Sequence, residues 1–243
     1  NLSKGNNENT EFPVQAGFLG TDVAAEGPFS KNYRGSYLIN YRYSTLSLLS
    51  KLGVNVGDAV TNFQDLSFHV YLPTAKLGNF SLFGFGGLSD QNQFAKEDST
   101  QWEYDFDRYN SQYFSNTGAA GVKHALTLNN KSFLQSSLLI SGNDHGYQEE
   151  RLDNSYSPQF TFKNNYINKK VTFSSVLNYK VNSKNNIRSG VYVNRFSFNL
   201  MKKELNRETG LVEEPLNSLE HASTIQAFSQ WNYRATEQLT FNT

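Results

Sequence analysis

Few side chains in this 243-residue sequence are spaced to make or break bonds. It contains no cysteine, which excludes a thiolate nucleophile, a thiolate metal site and a disulfide framework, and leaves the redox compartment open. Its four histidines, His69, His124, His145 and His221, never fall at the i, i+4 or short-loop spacing that holds zinc. Asp105-Phe106-Asp107, with Asp98 and Glu103 nearby, clusters carboxylates of the kind hard cations favour. The ligand ladder of a calcium loop is missing, so a solvated acidic loop is the expected reading. Gly84-Phe85-Gly86-Gly87-Leu88-Ser89 opens like a nucleotide fingerprint, but it lacks the third glycine and leads into no helix pattern; it reads as strand. No Gly-x-Ser-x-Gly elbow is present. The expectation is a chain that is not an enzyme, holds no metal and needs no cofactor.

Non-covalent chemistry is better represented. Arg42 and Asp65 fall on the polar faces of two strands that should be neighbours, near one end of each. Two readings stay open for them: an ion pair inside a lumen, or a solvated cross-strand pair worth well under about 1 kcal/mol. Asn40, Ser67 and His69 share those polar faces and complete a set of lumen-facing candidates. Trp102, Tyr104, Tyr109 and Tyr113 fall in a stretch that reads as a long loop. The first three are candidate ligand contacts, because such rings can stack on a sugar or planar ligand; equally, they can pack the loop down.

The elements that would carry these residues are strands. Tyr37, Ile39, Tyr41 and Tyr43 alternate with polar neighbours, as do Leu66, Phe68, Val70 and Leu72, and Val171, Phe173, Leu177 and Tyr179. Further strands are expected over Phe12–Val23, Phe80–Leu88, Gly118–Leu128, Ser132–Ser141, Ile187–Leu200 and Thr224–Tyr233, with a last one starting at Leu239. The alternation slips at Arg195-Phe196, as a β-bulge would make it. Thr45–Gly53 reads as a short helix stopped by Gly53. No stretch approaches the roughly 18 apolar residues of a membrane helix.

Composition agrees with sheet that is wet on one face. Hydrophobic residues are 37% and mean hydropathy is −0.58, low for a packed core, yet aromatics reach 14%, which disordered chains do not carry. The formal charge is zero, so there is neither the basic surplus of a nucleic-acid binder nor a polybasic membrane patch. Connections alternate in length. Pro73–Gly78, Asn129–Lys131, Asn182–Asn186 and Ala235–Gln238 are short; Thr45–Asn62, Asp90–Thr117, Gly142–Lys170 and Met201–Ser223 are long. Long loops at one end and short turns at the other are the habit of outer-membrane barrels, and Tyr41, Tyr43, Trp231 and Tyr233 suit their aromatic girdles.

Two stretches carry a family likeness. Phe18-Leu19-Gly20-Thr21-Asp22, Glu26-Gly27-Pro28-Phe29 and Ser36 to Ser44, then Phe63 to Phe68 and Phe80 to Ser89, form the first; Gln230 to Thr240 forms the second. Together they resemble the barrel of TonB-dependent outer-membrane receptors, in the branch with a carboxypeptidase-regulatory-like domain before the plug. The resemblance implies an antiparallel transmembrane β-barrel of about 22 strands around a plug. Residues 1–243 would supply about nine or ten of those strands, as one partial barrel domain that begins at an extracellular loop and has no plug of its own. It further implies a Gram-negative outer-membrane location and uptake of a scarce nutrient. The expected partners are outer-membrane lipid, the protein's own plug and TonB, both outside this segment, and a surface lipoprotein as a further candidate; nucleic acid is not among them. Two other readings remain at this point: a structural or secretion-associated outer-membrane barrel, and a soluble secreted glycan-binding β-sandwich.

Overall fold

Alternation of period two becomes a single antiparallel sheet in the computed structural model, which describes residues 4–18, 20–54 and 61–243. Eleven strands follow one another in chain order, each hydrogen-bonded to the next: β1 (Val14–Ala16), β2 (Gly20–Ser30), β3 (Tyr33–Ser44), β4 (Thr61–Pro73), β5 (Asn79–Gln93), β6 (Tyr109–Asn129), β7 (Ser132–Leu152), β8 (Pro158–Lys180), β9 (Asn185–Leu205), β10 (Val212–Arg234) and β11 (Thr240–Asn242). Among the described residues β1 does not pair with β11, so the sheet is open, and no second sheet packs on it. A two-sheet sandwich, one of the alternatives above, is therefore not the architecture.

The two faces differ in chemistry. Ile39, Leu66, Val122, Ile140, Val171, Phe173 and Val193 point to one side and are all more than a third exposed. Ser36, His69, Val176 and Asn194 point to the other side and are buried. A curved sheet crowds the side chains of its concave face and spreads those of its convex face, so the polar face is the inner one. Core burial is minimal: Leu152 and Val176 are the buried apolar side chains among the described residues.

Several expectations change here. The strand expected over Phe12–Val23 is two strands, because the chain reverses at Gly17, whose N–H donates to the Gly20 carbonyl at 2.9 Å. Leu19, within that stretch, lies outside the described residues, as do 55–60 of the Thr45–Asn62 connection. Residues 4–9 lie beside the short turns, with Lys4 Nζ 3.7 Å above the Tyr71 ring and the Asn6 N–H donating to Glu26 at 2.7 Å.

The largest change concerns Asp90–Thr117, Gly142–Lys170 and Met201–Ser223. Most of the second and third is strand, as are both ends of the first, and β6 to β10 run 21 to 23 residues against 11 to 15 for β2 to β5. The true connections are 94–108, 153–157 and 206–211. At Arg195-Phe196 no bulge exists, since the ladder to both neighbours is unbroken there. The register shifts in β10 instead lie between Glu213 and Leu216, where Pro215 has no N–H to give the ladder. The expected helix forms as α1 (Thr45–Lys51): Ser44 Oγ accepts from the Ser47 N–H at its start, and Gly53, two residues past its end, takes φ +85°.

Candidate functional site

The polar face of β3 and β4 brings together all five residues singled out there. Register places Asn40 opposite Ser67, Arg42 opposite Asp65, and His69 opposite Leu38. Arg42 Nε donates to Asp65 Oδ2 at 2.9 Å, and Nη2 donates to the same oxygen. The guanidinium also lies 5.4 Å from the centre of the Phe63 ring. Gly87, opposite Asp65 on β5, leaves room for this carboxylate; a Cβ there would collide with Asp65 Oδ1.

Higher on the same face, the long strands raise a wall of aromatic and hydrogen-bonding side chains. Tyr113 pairs with Tyr147, and His145 with Tyr166, whose ring stands edge-on to the imidazole at 5.6 Å. Tyr147 Oη donates to Glu149 Oε2 at 2.8 Å, and its ring meets Phe162 at 6.0 Å. Lys202 sits 5.7 Å above Phe162 and pairs with Glu204 at 2.7 Å. Lower down, Phe196 and Phe198 stack at 6.1 Å, with Lys170 over Phe196. Asn194 ties the inner wall together: it accepts from Thr172 Oγ1 at 2.9 Å and donates from Nδ2 to Thr224 Oγ1 at 3.0 Å.

The loop aromatics separate into different roles. Trp102 is committed to packing: its Nε1 donates to the Lys96 carbonyl at 2.8 Å, Arg108 lies 4.5 Å over its ring, and Tyr156 is at 5.5 Å. Tyr104 stacks on Phe106 at 5.3 Å and stays 62% exposed, which leaves it the freer surface. Tyr109 and Tyr113 belong to β6 rather than to a loop, because both continue its ladder to β7. Tyr109 Oη donates to Asp105 Oδ2 at 3.1 Å.

The acidic loop is organised rather than solvated. Asp107 is buried and accepts from the backbone N–H groups of Glu103 and Tyr104 at 2.9 and 3.0 Å, while Lys96 Nζ lies 3.0 Å from its other oxygen. The Tyr104 amide above all, and Lys96 with it, hold the Asp107 carboxyl below the usual range against the opposing effect of burial. Asp105 is lowered chiefly by its pairing with Arg151 at 2.7 Å. Asp98 caps a turn through the Thr100 N–H and hydroxyl. No group of three or more His, Cys, Asp or Glu among the described residues is arranged to hold a metal.

Sequence reasoning missed the upper wall. The signal was present as Tyr109-x-Ser-x-Tyr113-x-Ser115 and His145-x-Tyr147-x-Glu149, period-two runs with polar residues on both sides. Without an apolar face they read as loop. The assembled face offers aromatic planes, hydroxyls, amides and paired charges, and it suits reversible recognition of a polar ligand.

No protein-family model matches the sequence, and no curated protein is similar to it. Among solved structures, the copper transporter OprC shares the fold, with a TM-score of 0.59 at 10% sequence identity. The match covers 90% of this chain and 34% of OprC, so the chain spans about a third of that protein's length.

Proposed function

We propose that this sheet is part of the barrel wall of a TonB-dependent outer-membrane receptor that takes up a scarce nutrient. The observation that carries this reading is the uninterrupted meander of β2 to β10 with a belt of exposed apolar residues on its outer face, Ile39, Leu66, Val122, Ile140, Val171, Phe173 and Val193 among them. In water such a face would be a severe liability; against hydrocarbon it is what the solvent demands. On β8 the belt runs from Val171 to Tyr179, about 27 Å of strand, which a tilt near 45° brings to about 20 Å of membrane. Trp231 and Tyr233 stack on this face beside the short turns, and Tyr41 and Tyr43 share it at the other end, as interfacial girdles would. The likeness to OprC supports a barrel; plug, TonB, lipid and a surface lipoprotein enter as the partners that such a receptor would need.

Under this reading Asn40, Arg42, Asp65, Ser67 and His69 face the lumen at mid-height, and the Tyr113–Tyr147–Tyr166 wall lines the outer vestibule. Tyr104 is the loop residue best exposed for ligand contact. Transport of copper itself finds no support in this segment, which has no cysteine, a single methionine and no metal-holding cluster among the described residues.

Single cysteines test the proposal, since the chain supplies a silent background. In the full-length parent, Asn154→Cys in the β7–β8 connection should react with a membrane-impermeant thiol label on intact cells. Asn178→Cys, on the polar face of β8, should react in purified receptor. Leu177→Cys, one residue away on the outer face, should stay protected until lipid and detergent are stripped. Equal labelling at 177 and 178, or silence at 154 until lysis, would remove the membrane reading.

A further inference from the structure

The outer face carries a groove that the fold does not require. Gly86, Gly118 and Gly142 are register partners in one row across β5, β6 and β7. Leu66, Phe68, Leu88, Ile140 and Val171 wall the depression, whose volume is about 860 Å³ and whose lining is almost wholly apolar. Some glycines of this region have an internal explanation: at Gly84 an added Cβ would meet the Phe68 ring at 2.6 Å. The row is different. At Gly118 a Cβ would stand 3.4 Å from the nearest atom, the Phe85 carbonyl oxygen, an ordinary contact; at Gly86 and Gly142 it would stand 3.3 and 3.0 Å from the carbonyl oxygens of Thr117 and Asn168, a tighter fit. None of these glycines has positive φ. Glycine weakens a strand, so its use at Gly118, where a side chain would meet only ordinary contact, marks a place where something else comes close.

The end of the row says what that is. The next register partner after Gly142 is Lys169, and Arg195 stands beside Val171 one strand further on. Both are exposed, and neither belongs to any ion pair among the described residues. From this level down to the short turns, the outer face of β4 to β9 carries no other Asp, Glu, Lys or Arg. The nearest acid above is Asp144, on the same face one pair above Gly142, whose Oδ1 is buried without a hydrogen-bond partner. Two cations outside these ion pairs therefore mark the rim of the apolar belt, Arg195 donating from Nη1 to Ser223 Oγ at 3.1 Å, with a trough floored by glycine running to them.

We infer that this trough seats one acyl chain of an anionic, phosphorylated lipid whose headgroup Lys169 and Arg195 hold. An acyl chain fits a trough floored by glycine, where backbone approach replaces side-chain packing. A phosphate at the belt's rim meets long cationic side chains that can reach it while their stems stay in hydrocarbon. The proposal rests on the outer face meeting lipid, and it concerns a tightly held lipid rather than transported cargo.

The test uses the full-length parent in non-ionic detergent, delipidated and then offered phosphatidylglycerol or phosphatidylcholine, with bound lipid counted by native mass spectrometry. The wild type should retain phosphatidylglycerol in preference to phosphatidylcholine. Lys169→Gln/Arg195→Gln should cut retained phosphatidylglycerol at least fivefold and leave phosphatidylcholine unchanged; Gly118→Leu, which fills the trough, should reduce both. Retention of phosphatidylglycerol at the wild-type level in both variants would overturn the site. Full competition by glycerol phosphate, which has no acyl chain, would overturn it as well. Protection of Leu177→Cys together with absent lipid selectivity would remove this inference alone, whereas free labelling of Leu177→Cys removes the wall reading beneath it.

Discussion

Arg42 and Asp65 are direct register partners across β3 and β4, and the arginine donates twice to a single carboxylate oxygen. Both side chains remain more than a third exposed, so the pair belongs with the weak ones, about 0.2–1 kcal/mol. Reversal of one charge does more than delete the pair, because it sets like charges directly opposite on one face. Arg42→Asp should therefore lower the stability of the folded receptor by about 1 kcal/mol. The exchange Arg42→Asp/Asp65→Arg should recover most of that. Urea midpoints of the detergent-solubilised protein decide it, and equal losses in single and double variants would show that the pairing contributes nothing.

Asp107 gathers the 94–108 connection around one carboxylate, through two backbone amides and Lys96. Asp107→Asn loses the charge that Lys96 faces, and trypsin should then cut after Lys96 several-fold faster. The pH dependence has a definite sign. The folded carboxyl titrates below its ordinary range, so its contribution is complete above about pH 4, the unfolded value. It is lost as pH falls through the lower folded value. Resistance of this loop to pepsin should thus hold down to about pH 4 and fail beneath it; a loss between pH 5 and 6 would point to another group.

The lower half of every long strand was legible in the sequence, because Val171, Phe173 and Leu177 alternate with polar residues and one face is plainly apolar. The upper half was not. Above the belt both faces are polar, so Asn143 to Arg151 and Lys163 to Lys169 look like loop although they continue the same ladders. The supposed slip at Arg195-Phe196 has the same origin. Arg195 stays on the outer face and Phe196 on the inner one; the surroundings change there, and the register does not. Hence alternation of polarity reports the solvent on each side as much as the strand itself. The Arg42–Asp65 pairing was readable because it needs only adjacent strands joined by one connection. The glycine row was not, since Gly86, Gly118 and Gly142 become neighbours only through the registers of three strands.

Asn194 is a buried polar side chain that bridges β8 to β10 through Thr172 and Thr224. Asn194→Leu matches its size but strands both threonine hydroxyls, at a cost of about 1–3 kcal/mol. Asn194→Ser, shorter but polar, leaves room for water to restore the bridge and should cost less. Thermal midpoints of the two variants in detergent should rank wild type, serine, leucine; leucine equal to wild type would mean that the network adds no stability.

Phe68 lies across Gly84, its register partner on β5, with the ring where a β-carbon would otherwise be. The relationship is steric and reciprocal. Gly84→Val should therefore expel the ring and destabilise the wall by roughly 1–3 kcal/mol, the usual penalty for overpacking. Phe68→Ala should cost a comparable amount through lost burial against the strand. Because each change makes space for, or takes space from, the other, the double variant Gly84→Val/Phe68→Ala should lose less than the two single losses summed. A double-mutant cycle on unfolding midpoints measures the difference, which should exceed about 0.5 kcal/mol for residues in contact. Strict additivity would mean that the ring rests elsewhere in the folded protein, and that Gly84, like Gly118, is left bare for a neighbour outside the chain.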